Sequence, residues 1–176
     1  MNIVLIGFMG TGKSTIGKLL APKLGFEFVD VDARIEQQAG KTITQIFHSE
    51  GEGHFRKLER EFAEELSAGE GQVIATGGGF VLNPQNIAVL RPKGFIVSLK
   101  ASPRVIYERI RNEKHRPLLA VPDPPAQIGQ LLLERDERYR DADLLVNTDG
   151  KSPAEIADEI GAELAKRGIS NGRNQA

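Results

Sequence analysis

The sequence predicts an α/β fold, one parallel sheet wrapped by helices, and three observations carry that prediction. Short apolar runs recur at residues 3–6, 26–29, 73–75, 95–99 and 144–146. Longer stretches of helical periodicity separate them, the alternation expected of parallel strands with crossover helices. The first apolar run passes straight into a glycine-rich loop and a helix.

That first junction is the most informative part of the chain. Residues 7–15 read Gly-Phe-Met-Gly-Thr-Gly-Lys-Ser-Thr and fill the pattern G-x-x-x-x-G-K-[ST] with Gly7, Gly12, Lys13 and Ser14. Gly10 and Gly12 lack Cβ atoms, so successive N–H groups, with those of Thr11 and Thr15 nearby, can turn inward around a polyphosphate at the positive end of the following helix. Lys13 can reach the β- and γ-phosphates, and the Ser14 hydroxyl can join the shell of Mg²⁺. The plainer alternative is a Gly-rich turn with a surface lysine, and the strand-loop-helix context weighs against it.

The second run ends in Val-Asp-Val-Asp at residues 29–32. Ligands of open α/β sheets sit at the carboxyl ends of strands, so Asp30 and Asp32 should lie across from the phosphate loop. One carboxylate could hold Mg²⁺ through water and the other could accept a proton from an attacking hydroxyl. The alternative is that Asp32 merely caps a helix starting at Ala33.

Thr42 and Gln45 read as a capping box opening a short helix through Ile46 and Phe47. Residues 52–67 read as a long helix with a strongly charged, solvated face. The third run ends in Ala-Thr followed by Gly77, Gly78 and Gly79, best explained by a ligand lying close to the backbone, with a tight turn as the alternative. Residues 112–125 hold Arg116-Pro117 and a proline cluster and lack periodicity, which suits a lid between two helices. Ser152 and Glu155 form a second capping box with Pro153 between them, and Ile156, Ile160 and Leu164 follow at core spacing. Residues 1–168 are expected to form one domain, and 169–176 a polar, frayed tail.

Composition narrows the function classes. Net charge of −1 gives no global case for a nucleic-acid or membrane surface, and the absence of cysteine rules out disulfides and thiolate chemistry. No apolar run approaches the ~20 residues of a membrane span, and no secretory leader is expected at the start. A cytoplasmic protein is the expectation. Arg56, Arg116 and Arg135 are then candidates for binding an anionic acceptor, although each alone reads as a solvated surface residue. Composition and spacing lead to a small-molecule kinase acting on an anionic alcohol.

The ordered set of phosphate loop, Asp-x-Asp, Phe55-Arg56 with Glu59, Gly-Gly-Gly, Arg116-Pro-Leu-Leu and Arg135 through Tyr139 resembles shikimate kinase over nearly the whole chain. The resemblance implies a three-layer α/β/α P-loop kinase fold, a five-stranded parallel sheet of order 2-3-1-4-5, and a mobile lid. It implies transfer of the ATP γ-phosphoryl group to the 3-hydroxyl of shikimate in chorismate and aromatic amino-acid synthesis, by a monomer. It puts Arg56 and Arg135 on the shikimate carboxylate, Asp32 on its hydroxyls as base, Gly78 against its ring, and Phe47 and Phe55 on the pocket wall. Asp30 sits nearer the metal, Arg116 on the nucleotide phosphates, Arg109 on adenine, and Lys151 at the border of the base. Glu59 orients Arg56. Many relatives carry proline where this chain has Glu137, which bears on the aim of Arg135. Gluconate kinase and a catalytically inactive nucleotide-binding module are the rival readings, and a regulatory GTPase lacks its Asn-Lys-x-Asp signature here.

Overall fold

β1 (Asn2–Gly7) is buried at every position because it is the central strand of the sheet, hydrogen-bonded to β3 on one side and β4 on the other. A strand covered on both faces has no solvent side to make polar, hence its unbroken apolar run. The computed structural model describes residues 1–112 and 121–169. The strands that flank β1 are β2 (Glu27–Asp30), β3 (Gln72–Ala75), β4 (Gly94–Lys100) and β5 (Leu144–Asn147), in the all-parallel order β2-β3-β1-β4-β5. This is the expected order, with strand limits within a residue or two of the apolar runs.

Alternate residues of β1 divide the core. Ile3 and Leu5 face α1 (Lys13–Leu24) and α8 (Pro153–Lys166), where Ile16, Leu20, Ile156, Ile160 and Leu164 pack. Val4 and Ile6 face the opposite layer, with Phe55, Phe62, Phe80, Ile106 and Tyr139. That layer contains α2 (Val31–Ala39), α3 (Ile43–Ser49), α4 (Gly51–Ala68), α5 (Pro84–Leu90), α6 (Pro103–Ile110) and α7 (Pro124–Arg140). Both expected capping boxes form, at Thr42 with Gln45 and at Ser152 with Glu155.

Because β2, β3 and β1 are adjacent and parallel, the loops that follow them gather at the carboxyl end of the sheet. The functional residues of the next subsection lie there.

The structure sets aside one alternative and corrects three local expectations. α2 starts at Val31 rather than Ala33, and its cap is Asp30, not Asp32: the Asp30 Oδ1 accepts the Ala33 N–H at 3.1 Å. The aperiodic stretch 112–125 gives way to helix at Pro124, because the Asp123 carboxylate caps α7 and the prolines occupy positions that need no N–H donor. Ile169 is not frayed, since its N–H donates to the Leu164 carbonyl at 2.9 Å and its side chain packs on the core. α4 is not simply a charged surface helix either: Glu59 is 0% exposed on its inner face beside Phe55 and Phe62. Arg116 and most of the lid expectation fall at residues 113–120, outside the described residues.

Candidate active site

The phosphate loop joins β1 to the N-terminus of α1. Gly10 and Gly12 adopt φ of 75° and 95°, a left-handed region that a side chain would strain, and this lets the loop wrap over the helix end. The Thr11 hydroxyl donates to the Phe8 carbonyl at 2.8 Å, bracing the loop. The Lys13 ammonium is folded inward and donates to the carbonyls of Gly7 and Phe8 at 2.7 and 2.9 Å. A cation so placed can exchange carbonyl oxygens for phosphate oxygens with a small movement of its end.

Ser14 and Asp30 meet across the β1 and β2 ends. The Ser14 hydroxyl donates to Asp30 Oδ2 at 2.5 Å, while the other Asp30 oxygen caps α2. Asp30 is thus held by both ends. A hydroxyl and a carboxylate side by side suit a hard, oxygen-preferring cation such as Mg²⁺, which takes one or two protein oxygens and completes its shell with phosphate and water. Among the described residues no group of three or more His, Cys, Asp or Glu is placed to hold a metal ion.

Because α2 begins at Val31, Asp32 falls in its first turn, where the helix dipole favours a carboxylate. It turns toward the loop after β3. A Cβ built on Gly77 would lie 2.6 Å from Asp32 Oδ1, and one on Gly79 would lie 2.6 Å from the Nη2 of Arg56. A Cβ on Gly78 would lie 3.0 Å from the Met9 nitrogen in the phosphate loop. The glycine run is therefore used by protein neighbours on three sides, which refines the expectation that a ligand alone explains it.

Arg56 is held by two carboxylates of its own helix. Its Nη1 donates to Glu59 Oε2 at 2.7 Å, and Nε and Nη2 donate to Glu52 Oε1 at 3.2 and 2.9 Å. Burial works against the Arg56 charge, but these two acids outweigh it and raise its pKa above the usual value. Burial also pushes the Glu59 carboxyl up; Arg56 opposes that rise, and the nearby Asp32 charge adds to it. Glu59 Oε1 is buried with no hydrogen-bond partner among the described residues. The Phe47 and Phe55 rings pack with centroids 5.0 Å apart, and the Arg56 guanidinium carbon lies 5.4 Å from the centre of the Phe55 ring.

Arg135 comes from α7 on the far side. Its guanidinium carbon lies 5.4 Å from the centre of the Phe8 ring, so it is directed at the phosphate loop. Glu137 leaves α7 an unbroken helix through Arg140, and that path still aims Arg135 inward. Tyr139, one turn on, donates its hydroxyl to the Gly78 carbonyl at 2.9 Å.

Arg109 and Lys151 meet at a separate pocket of about 410 Å³ on the other side of the loop, with Gly10, Gly12, Thr15 and Pro153. Arg109 donates to the Gly10 carbonyl at 3.2 Å and to the Thr148 hydroxyl and carbonyl at 3.0 Å each. Lys151 is paired with Glu159 at 2.5 Å. A flat guanidinium tied to the phosphate loop makes a wall on which an aromatic base can stack. A cavity of similar size, about 420 Å³, lies between α5 and α7 and contains none of these residues.

The structure thus brings Lys13, Ser14, Asp30, Asp32, Arg56, the glycine run and Arg135 to one edge, with Arg109 and Lys151 adjoining. Sequence reasoning missed Glu52, Phe8, Thr148 and the Tyr139 hydroxyl. Glu52 had a usable signal, one helical turn before Arg56. The others act through the fold and had none.

A family model for shikimate kinase matches residues 9–165. The shikimate kinase of Thermodesulfovibrio yellowstonii is 47% identical over 172 residues, covering 98% of each chain. That of Caldanaerobacter subterraneus is 50% identical over 159 residues, covering 90% of this chain and 93% of its own. Among solved structures, shikimate kinase from Acinetobacter baumannii in complex with shikimate superposes with a TM-score of 0.89 at 36% identity, covering 96% of this chain and 95% of that one.

Proposed function

The chain belongs to the shikimate kinase family, ATP-dependent kinases of the shikimate 3-hydroxyl, and we propose how its own residues perform that reaction. Lys13 and the loop N–H groups hold the ATP phosphates, with the base stacked in the pocket of Arg109 and Lys151. Arg56 and Arg135 grip the shikimate carboxylate from opposite helices. Asp32 holds the acceptor hydroxyls beside Gly77. Ser14 and Asp30 would ligate Mg²⁺, which when bound neutralises polyphosphate charge.

In the reaction the 3-hydroxyl oxygen forms a bond to the γ-phosphorus, the bond from that phosphorus to the β–γ bridging oxygen breaks, and ADP leaves. The hydroxyl proton passes to the Asp32 carboxylate. Transfer through a loose transition state needs position and charge more than a strong base, so Lys13 carries more of the rate than Asp32. Arg116, by resemblance, adds positive charge at the transferring group from the lid.

The observation that carries this reading is the glycine run itself. It touches Asp32, Arg56, the phosphate loop and Tyr139 at once, so the base, the anion-binding arginine and the nucleotide cradle share one backbone segment. We further propose a cytoplasmic monomer. Support for the compartment comes from a cysteine-free chain suited to reducing conditions.

The test is ADP release from ATP and Mg²⁺ with shikimate, gluconate or no acceptor, repeated with Asp32→Asn. Shikimate-dependent release that collapses in the variant is the expected result. Release with gluconate alone overturns the acceptor, and an Asp32→Asn variant of full activity removes Asp32 from the site. Sedimentation at assay concentration reads the monomer.

A further inference from the structure

Tyr139 is 4% exposed, packed in the core layer with Phe80 and Phe8. A phenylalanine would fill that space equally well. The hydroxyl therefore has a use other than packing, and its contacts say what it is. It donates to the Gly78 carbonyl at 2.9 Å, and it lies within the influence of Arg135, one turn earlier on the same face of α7. Burial raises the phenol above its ordinary pKa against the pull of that arginine, so it stays a protonated donor throughout the neutral range.

The consequence is a bridge built on one face of α7: the Tyr139 hydroxyl bonds the Gly78 carbonyl, and Arg135, one turn earlier, lies over the Phe8 ring. Its two ends are the acceptor loop and the phosphate loop. Gly78 is confined on its other side by Met9, since a Cβ there would meet the Met9 nitrogen at 3.0 Å. Because the peptide unit is planar and trans, turning the Gly78 carbonyl toward α7 turns the Gly79 N–H to the opposite side, away from α7.

We infer that Tyr139 is a positioning residue for the acceptor, whose hydroxyl sets the distance between the Arg135 guanidinium and the Gly78 backbone. This rests on the acceptor site proposed above. Tyr139 itself touches no substrate. Removing its hydroxyl leaves the Gly78 carbonyl without that donor and lets Arg135 and the glycine loop move independently, so acceptor binding weakens while the nucleotide pocket is untouched.

The test compares wild type, Tyr139→Phe and Arg138→Met. Arg138 is the control because it also reaches from α7, but to the carbonyls of Val81 and Leu82 beyond the glycines. Tyr139→Phe is expected to raise the shikimate KM about fivefold to tenfold, with ATP KM and kcat changed by less than about twofold. Arg138→Met should leave all three within about twofold of wild type. Titration calorimetry with shikimate alone repeats the comparison, since an unfolded fraction would lower stoichiometry but not change Kd. Unchanged shikimate affinity in Tyr139→Phe, or an equal loss in Arg138→Met, overturns the inference. Wild type that releases no ADP in response to shikimate would instead overturn the acceptor site, and the inference with it.

Discussion

The guanidinium of Arg56 occupies the space where residue 79 would carry a side chain: a Cβ on Gly79 would lie 2.6 Å from Nη2 and 2.7 Å from Nη1. Contacts that short are not tolerated, so glycine at 79 and the position of Arg56 are one requirement. Glu59 and Glu52 hold the guanidinium from its other edges and leave it nowhere to retreat without breaking a charge-assisted hydrogen bond.

Gly79→Ala should therefore act on the acceptor and not on the nucleotide. We expect the shikimate KM to rise at least about tenfold with little change in ATP KM, as a displaced arginine fork loses its bidentate fit. Steady-state kinetics varying each substrate in turn would check it, and a parallel rise in both constants would contradict the geometry.

Lys13→Ala should lower kcat by at least about a hundredfold, because the ammonium is the protein charge poised at the phosphate cradle. The hydrogen bonds that Lys13 makes to Gly7 and Phe8 brace only the loop, so their loss should be local and a thermal melt should still show a folded protein. Near-normal turnover would remove the loop from the mechanism.

Arg135→Ala and Arg109→Ala should separate the two substrates. The first is expected to raise the shikimate KM by about tenfold or more and the second the ATP KM, each with a much smaller effect on the other. Arg135 stacks on Phe8 and Arg109 lines the pocket with Lys151, on different sides of the same loop. A crossed result would exchange the two sites.

Glu59 makes stability depend on pH in a direction opposite to most acids. Its pKa is raised in the folded protein by burial, above the ordinary 4.5, so the folded chain holds a proton that the unfolded chain releases. Its contribution is favourable below the ordinary value and is lost as pH rises through the raised folded one. Thermal melts from pH 4 to 7 should show wild type losing stability relative to Glu59→Gln as pH rises. The same variant should bind shikimate less well, since a neutral amide holds Arg56 less firmly. A melting difference that does not move with pH would assign the Glu59 proton elsewhere.

Much of this molecule is written in local patterns. The apolar run before Gly7 determines a strand buried on both faces, and the spacing of Gly12, Lys13 and Ser14 determines a phosphate loop, because backbone turns and helix ends depend only on neighbouring residues. The capping boxes at Thr42 and Ser152 are likewise complete within four residues. The same locality leaves one choice open: Asp30 and Asp32 are both acceptable caps by type, and in the fold Asp30 caps α2 with one oxygen while its other accepts from Ser14, a residue on another element. The pairing of Glu59 with Arg56 is legible from their spacing on one helix, but its burial is not, because α4 turns that face inward against Asp32 and Gly77. Tyr139 and Phe8 gain their parts only when α7 crosses the loops after β1 and β3. The sequence by itself determined the elements, the phosphate cradle and the family. The tertiary structure alone decided where Arg135 points and what the glycine run accommodates, because those contacts join residues far apart in the chain that only packing can bring within reach.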